Sequence, residues 1–357
     1  MLQVQRRTTR DGLAYLMKSL PSCSTSNSSE PCTILFGHAN GFNKEIFLPV
    51  WEDLERRWQA HKGLRSPLIL VSFDFTGHGD SRHPLGNDRY DWRNGAGSDV
   101  MEMLQEMGQR GRTPCIGVGH SLGASAMTLV ELAHPGMFSM GLVLIEPVLV
   151  PVGGESTMTK SLSERALRRR ASWPSREAVR EYMERRPIFK RWDSRALDAY
   201  LEGGMEERAL TDASHDEDLT ACPSAREPSS HRDSVEIVLK CKPKTEAGYY
   251  TGSGASVWPQ LHQLGQARPV TFIAGEKSEH MPAVLSATQA VTSGADAAKT
   301  LVGMMGARAK VFVVPNASHF VLMEDVDRVA ELVWGHVLQT VGREASNEVC
   351  GNKRSSL

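Results

Sequence analysis

The sequence predicts a doubly wound α/β fold whose sheet is mostly parallel and is interrupted once by a helical insertion. Three observations carry this. Short apolar runs rich in Val, Ile and Leu alternate with helical patterns over most of the chain. Those runs are apolar at successive positions, as strands covered on both faces must be. The rhythm stops at Pro147 and resumes only at Pro269.

Taken in order, residues 1–20 read as two short strands around the Arg10-Asp11-Gly12 turn, and Pro21–Pro31 as a polar surface loop. The runs Thr33–Phe36, Leu68–Phe73, Cys115–Val118 and Leu142–Ile145 are the first parallel strands. Helical patterns at Lys44–Trp58, Asp91–Met107 and Leu122–Ala133 separate them. Val270–Ala274, a helical stretch over Pro282–Met305, Val311–Val314 and a helix over Glu324–Thr340 complete the sheet. The expected organisation is a core of residues 1–146 and 259–343, a helical cap or lid of residues 147–258, and a flexible tail of residues 344–357. Within the cap, Ser161–Gly203 is helical with no strand signal, whereas Thr211–Asp233 is polar. Trp173, Met183, Trp192 and Tyr200 give this segment apolar surface, read either as a lid for acyl chains or as the cap's own packing.

Composition excludes several classes of function. The 357 residues carry 41 Lys plus Arg against 42 Asp plus Glu, a formal net charge of −1. A nucleic-acid or anionic-membrane surface is not expected from this balance, which suits a small-molecule substrate. No apolar run approaches the roughly 18 residues of a membrane span, and the first residues lack a secretory apolar region, so an intracellular protein is expected. Cys23, Cys32, Cys115, Cys222, Cys241 and Cys350 form no CxxC pair, so free thiols are expected and neither a disulfide framework nor a metal site.

Gly119-His120-Ser121-Leu122-Gly123 lies between an apolar strand and a helix, the setting in which G-x-S-x-G presents a nucleophilic serine. Glycines on both sides let strand and helix approach closely around a strained turn. Gly117, Gly119 and Gly123 also spell GxGxxxG, a loose relative of the dinucleotide fingerprint, with Glu146 at the end of the next strand as its ribose-binding acid. That reading leaves the downstream histidine without a use. A serine nucleophile needs a base and an acid, in the chain order Ser, acid, His. His319, after the last strand, fits the base. Glu146 ends the strand Leu142–Ile145 and is expected to be held extended by Pro147; Glu279, after the next strand, is the alternative acid. The backbone N–H groups of Asn40 and Leu122 are the candidate oxyanion donors. The glycine-rich Asp74–Ser81 segment reads as structural, with His78 no catalyst.

The motifs GHANGF, DFTGHGDS, GHSLG, LIEPV and PNASHF together resemble the α/β-hydrolase superfamily over essentially the whole chain outside its tails. Tyr90-Asp91-Trp92, Gly141–Val148, Gly275-Glu276-Lys277-Ser278 and Ser318-His319 make it similar, more narrowly, to a fungal group of peroxisomal lipases and toxin-biosynthesis hydrolases. The resemblance implies an α/β-hydrolase fold, a serine esterase or lipase acting on an ester or lipid-like substrate, no cofactor, and Glu146 as the triad acid. The chain departs from the pattern at Ala39 and Asn316, where members often have Gly, and at Val326, where Pro often stands. A non-catalytic small-molecule binder that keeps the pocket is the alternative. Ser355-Ser356-Leu357 behind Lys353-Arg354 resembles a variant peroxisomal import signal, whose partner would be the import receptor; without it the expected address is the cytoplasm.

Overall fold

The structure is a computed structural model that describes residues 3–21, 30–61, 66–81, 95–108, 113–149, 157–209, 235–251, 257–279 and 293–351. The chain opens with a hairpin of β1 (Gln5–Thr8) and β2 (Ala14–Leu20), as expected from the Arg10-Asp11-Gly12 turn. β3 (Cys32–Gly37) is followed by a short 3-10 turn over Lys44–Phe47 and by α1 (Leu48–Ala60). β4 (Leu68–Phe73), α2 (Gly97–Glu106), β5 (Cys115–His120), α3 (Leu122–Ala133) and β6 (Leu142–Ile145) continue the alternation.

Between β6 and the return to the sheet lie α4 (Thr157–Leu167), β7 (Ser172–Trp173), α5 (Arg176–Glu184), α6 (Ser194–Gly204), β8 (Met205–Ala209), β9 (Val235–Leu239), α7 (Pro243–Thr251) and α8 (Leu261–Ala267). β10 (Val270–Gly275), α9 (Gly294–Met304), β11 (Ala309–Val314), α10 (Val321–Glu324) and α11 (Val326–Gly351) finish the chain. The main sheet has eight strands in the order β1-β2-β4-β3-β5-β6-β10-β11, parallel from β4 to β11 with an antiparallel edge at β1 and β2.

Successive residues of a strand enter opposite cores. Ile34 and Phe36 of β3 pack with Trp51, Trp58 and Trp334 of α1 and α11, whereas Leu35 packs with Met103, Met127 and Leu301 of α2, α3 and α9. This is why the strands read as unbroken apolar runs. Trp58 and Trp334 meet edge to face with ring centroids 6.4 Å apart, joining the two helices of the first layer.

Two expectations need correction. The segment after β6 is not purely helical, because β7, β9 and β8 form a small antiparallel sheet and Ser172–Trp173 falls in the stretch read as helix. Two residues give no readable period, and their pairing with β9 is a long-range contact. The tail also does not begin at residue 344: α11 runs to Gly351, since Arg343 to Cys350 contains no proline or glycine and extending an existing helix costs little. The large apolar residues of the insertion, Trp173, Met183, Trp192, Tyr200 and Met205, are buried in the same core as α1 and α11, which favours packing over a free lipid-facing surface. Thr211–Asp233, Tyr90-Asp91-Trp92 and the terminal Ser-Ser-Leu lie outside the described residues.

Three buried histidines tie loops and helices together as neutral rings. His336 of α11 donates from Nε2 to Met140 O (3.1 Å) and accepts at Nδ1 from Thr271 Oγ1 (2.9 Å). His38 donates from Nδ1 to Ala39 O (2.7 Å) and accepts the Phe75 N–H at Nε2 (3.1 Å). His78 faces Thr76 O through Nδ1 (3.2 Å) and accepts the Gly41 N–H at Nε2 (3.0 Å). Burial pushes His78 and His336 down to about 4 and His38 well below its ordinary value. The unfolded chain binds these protons near pH 6.5, so it holds more protons than the fold between roughly pH 6.5 and 4, and stability is lost as pH falls through that window. The expected slope is about 1.4 kcal/mol per pH unit for each histidine, read from urea midpoints at several pH values. His336→Gln should reduce the slope by about one such increment; an unchanged slope would show that His336 is not neutral in the fold.

Candidate active site

Ser121 sits in the turn between β5 and α3 with φ 51° and ψ −110°, a conformation costly for any residue with a Cβ. Its surroundings enforce the turn. The Ser121 N–H donates to Ile145 O (2.9 Å), and the Gly123 N–H donates to His38 O (3.1 Å). A Cβ on Gly119 would stand 2.3 Å from Ala124 N, and one on Gly123 2.1 Å from Gly37 O. Gly119 is therefore a steric requirement of the turn from β5 into α3, and Gly123 of bringing α3 against β3.

His319 reaches the same point from the loop after β11. Its Nε2 lies 3.1 Å from Ser121 Oγ and its Nδ1 3.0 Å from Glu146 Oε2. The loop is held by His120 Nε2 on His319 O (2.9 Å), and by Glu324, which accepts from the Ser318 N–H (2.6 Å) and Ser318 Oγ (2.8 Å). Asn316 carries φ 60°, so the position where glycine is common does require a left-handed residue, and asparagine meets it at modest cost.

Glu146 is fully buried, and its backbone is not extended as Pro147 led one to expect. After its N–H closes the ladder to Ile273 O (2.9 Å), the chain turns with φ 48°. The turn aims the carboxylate at three groups: the Gly275 N–H on Oε1 (2.7 Å), Ser278 Oγ on Oε2 (2.6 Å) and His319 Nδ1. Such charge-assisted bonds offset a backbone strain of about 1–3 kcal/mol. Glu279, the alternative acid, is exposed, and among the described residues it makes no hydrogen bond to His319. Ser278 is the residue that sequence reasoning passed over; its place in Gly275-Glu276-Lys277-Ser278 was visible, but its bond to a carboxylate 132 positions away was not.

Of the oxyanion candidates, Leu122 follows Ser121 directly, and Asn40 lies in the loop whose His38 O accepts the Gly123 N–H. Among the described residues the N–H groups of Asn40 and Leu122 have no protein acceptor, whereas the neighbouring Gly41 and Gly123 N–H groups are both taken. Leu122 opens α3, so its N–H lies at the positive end of the helix dipole. Phe42, two residues after Asn40, is in ring contact with Tyr200 (5.2 Å), Trp192 (5.7 Å) and Phe320 (6.2 Å). Ser121 and His319 are 8% and 7% exposed, so a reacting group there is largely stripped of water. Burial lowers the His319 imidazole to about 4, leaving it neutral at physiological pH with Nε2 facing Ser121 Oγ. Among the described residues no group of three or more His, Cys, Asp or Glu side chains is arranged to hold a metal ion, and no helix is long and apolar enough to cross a membrane.

This arrangement is that of an α/β hydrolase, and residues 34–332 match the alpha/beta hydrolase family model; the chain belongs to that family. It resembles fungal members in particular. The type I acyl-CoA thioesterase mpaH of Penicillium roqueforti is 28% identical over 174 residues, 48% of this chain and 39% of that protein. The abhydrolase domain-containing protein AFT2-1 of Alternaria alternata is 33% identical over 88 residues, 25% of this chain and 32% of that protein. These matches thus span well under half of either relative. Among solved structures, the peroxisomal alpha-beta-hydrolase Lpx1 of Saccharomyces cerevisiae superposes with a TM-score of 0.67 at 15% identity, covering 97% of this chain and 91% of that one. The thioesterase domain from the curacin biosynthetic pathway superposes at 0.61 and 14% identity, covering 93% and 100%.

The close approach of α3 to β3 makes a direct prediction. Gly123→Ala places a methyl group against Gly37 O and should cost about 1–3 kcal/mol or more, seen as a lowered urea midpoint or loss of folded protein. Wild-type stability in this variant would mean that the elbow is looser than its contacts require.

Proposed function

We propose that the chain is a serine hydrolase that transfers the acyl group of a carboxylic ester or thioester to water through Ser121, His319 and Glu146. The observation that carries this reading is the continuous relay Ser121 Oγ, His319 Nε2, His319 Nδ1 and Glu146 Oε2, with both steps near 3 Å. Glu146 keeps the proton on Nδ1, so Nε2 takes the Oγ proton as the serine attacks the acyl carbon. The imidazolium formed is stabilised by the Glu146 carboxylate, which Gly275 and Ser278 hold in place. The Asn40 and Leu122 N–H groups receive the developing oxyanion. Nε2 then returns its proton to the leaving oxygen or sulfur, and a water activated by the same imidazole releases the acid and restores Ser121. No step calls for a cofactor.

The acyl-CoA thioesterase and the pathway thioesterase domain among the similar proteins support including thioesters. Residues 147–258 are proposed as the cap over this site. The likeness to a peroxisomal hydrolase and the terminal Ser-Ser-Leu support a peroxisomal address, read by the import receptor. A fluorescent protein carrying the last ten residues should concentrate in peroxisomes and become diffuse without Leu357; a diffuse full-length tail refutes the address.

A fluorophosphonate probe should label the wild type, fail on Ser121→Ala and label His319→Ala far more slowly, with activity losses on the order of 10³-fold or more. Absence of labelling in folded wild type would favour the binding-protein alternative. Glu146→Gln should lower kcat far more than Glu279→Gln, and the reverse order would move the acid. Because activity needs neutral His319, and burial holds that group to about 4, kcat/KM should persist as pH falls through 6.5 and decline only at lower pH. An acid limb centred at or above the ordinary histidine value would contradict the buried, neutral base.

A further inference from the structure

We propose that Arg169 and Glu246 form a positioning pair that sets the oxyanion loop, so that the layer above the loop is part of the catalytic geometry and not a removable lid. The inference rests on the hydrolase reading for its chemical meaning and on contacts around Gly37–Phe42 for its structure.

Three successive loop residues are each held from the cap side. Asn40 Nδ2 donates to Glu246 O in α7 (2.8 Å). Gly41, at φ 78°, lies so close under the Glu246 side chain that an added Cβ would stand 2.8 Å from its carboxyl carbon. The Phe42 ring packs on Tyr200 of α6. Arg169, just past α4, ties these holds together: one guanidinium nitrogen donates to Glu246 Oε2 and the other to the Tyr200 hydroxyl (2.7 Å). From beneath, His78 takes the Gly41 N–H. The loop is therefore gripped at every residue from 40 to 42, and the Asn40 N–H is the backbone donor left over.

The pair is half-buried, with side-chain exposures of 25% for Arg169 and 12% for Glu246. Its attraction is accordingly screened less than that of the cap's outer pairs, such as Arg180 with Asp198, exposed at 43% and 59%. Removing Arg169 takes away the donor that pins the Glu246 side chain over Gly41 and the Tyr200 hydroxyl beside Phe42, so two of the three holds on the loop slacken whether or not the carboxylate is kept. A displacement of about 1 Å at an oxyanion donor is enough to cost on the order of 10²-fold in rate.

The test compares Arg169→Met, Arg169→Lys, the double variant Arg169→Met/Glu246→Met, and Arg180→Gln as a control on cap charge. The double variant removes both charges together and guards against simple misfolding. Two readouts are taken on folded protein: hydrogen exchange of the peptide spanning residues 37–43, and the second-order rate of fluorophosphonate inactivation, whose phosphoryl oxygen occupies the oxyanion position. Exchange in the loop should accelerate on the order of 10-fold in Arg169→Met and the double variant, with strand peptides unchanged. Inactivation should slow by about 10–100-fold, Arg169→Lys should lie between, and Arg180→Gln should match wild type. Unaltered loop exchange in the folded double variant overturns the proposal, as does an equal loss in Arg180→Gln. If wild type takes no probe, the hydrolase reading fails by itself while the exchange comparison still decides whether the pair holds the loop.

Discussion

The site depends on one steric constraint: the N-terminus of α3 must lie against the end of β3 with no side chain between them. Gly37 and Gly123 meet main chain to main chain, and the Gly123 N–H bonds His38 O, the first residue after β3. This contact fixes the relative place of two elements that are far apart in sequence, the turn bearing Ser121 and the loop bearing Asn40. Ser121 takes its strained φ because strand and helix leave it no other path. The rest of the site is built toward that point, with β6 supplying Glu146 from the neighbouring strand and the β11 loop bringing His319 over the sheet edge.

Much of this was legible in the sequence, for identifiable reasons. Parallel strands covered on both faces announce themselves as unbroken apolar runs, so Leu68–Phe73 and Leu142–Ile145 fall where their patterns put them, as does the helix Leu122–Ala133. Ser121 and His319 were legible because a glycine-flanked elbow and a fixed chain order leave few choices. Less legible were features that depend on a distant partner. The residue before a proline ordinarily stays extended, yet Glu146 turns to φ 48° because Gly275, Ser278 and His319 together supply bonds that an extended backbone would not reach. Ser172–Trp173 is a strand only because β9 pairs with it, and neither residue signals this locally.

The Asp74–Ser81 segment shows how a motif can be required without being chemical. Asp74 accepts from the Lys44 N–H (2.7 Å), Lys44 Nζ (2.6 Å) and the Asp80 N–H (2.8 Å). Lys44 is itself buried; burial alone would lower its pKa, but Asp74 and Glu45 raise it, and it stays charged. Against the opposing effect of burial, Lys240 and Lys44 hold Asp80 down at about 2, and Lys240 follows β9 of the inserted sheet. This chain of charges joins the insertion to the core beside the oxyanion loop, while His78, from the same segment, grips that loop directly. Short polar residues and glycines are needed there because the segment must fold back on Asp74, which an extended or bulky sequence would prevent.

The location of the acid decides how its charge is held. Glu146 belongs to the end of β6, and its N–H is still part of the ladder to β10, so its backbone is as rigid as the sheet. The segment after β10 contributes only a hydroxyl, Ser278 Oγ, and one main-chain N–H at Gly275. In the proposed relay the charge that stabilises the imidazolium is thus carried by the end of a strand, and Gly275 and Ser278 clamp it. The two oxygens are held separately, Oε1 by the Gly275 N–H at the end of β10 and Oε2 by Ser278 Oγ and His319 Nδ1. The loop bearing Asn40 is held differently, between Glu246 O of the insertion (2.8 Å) and His78 Nε2 of the core (3.1 Å from Asn40 Oδ1), with no strand ladder of its own at that residue.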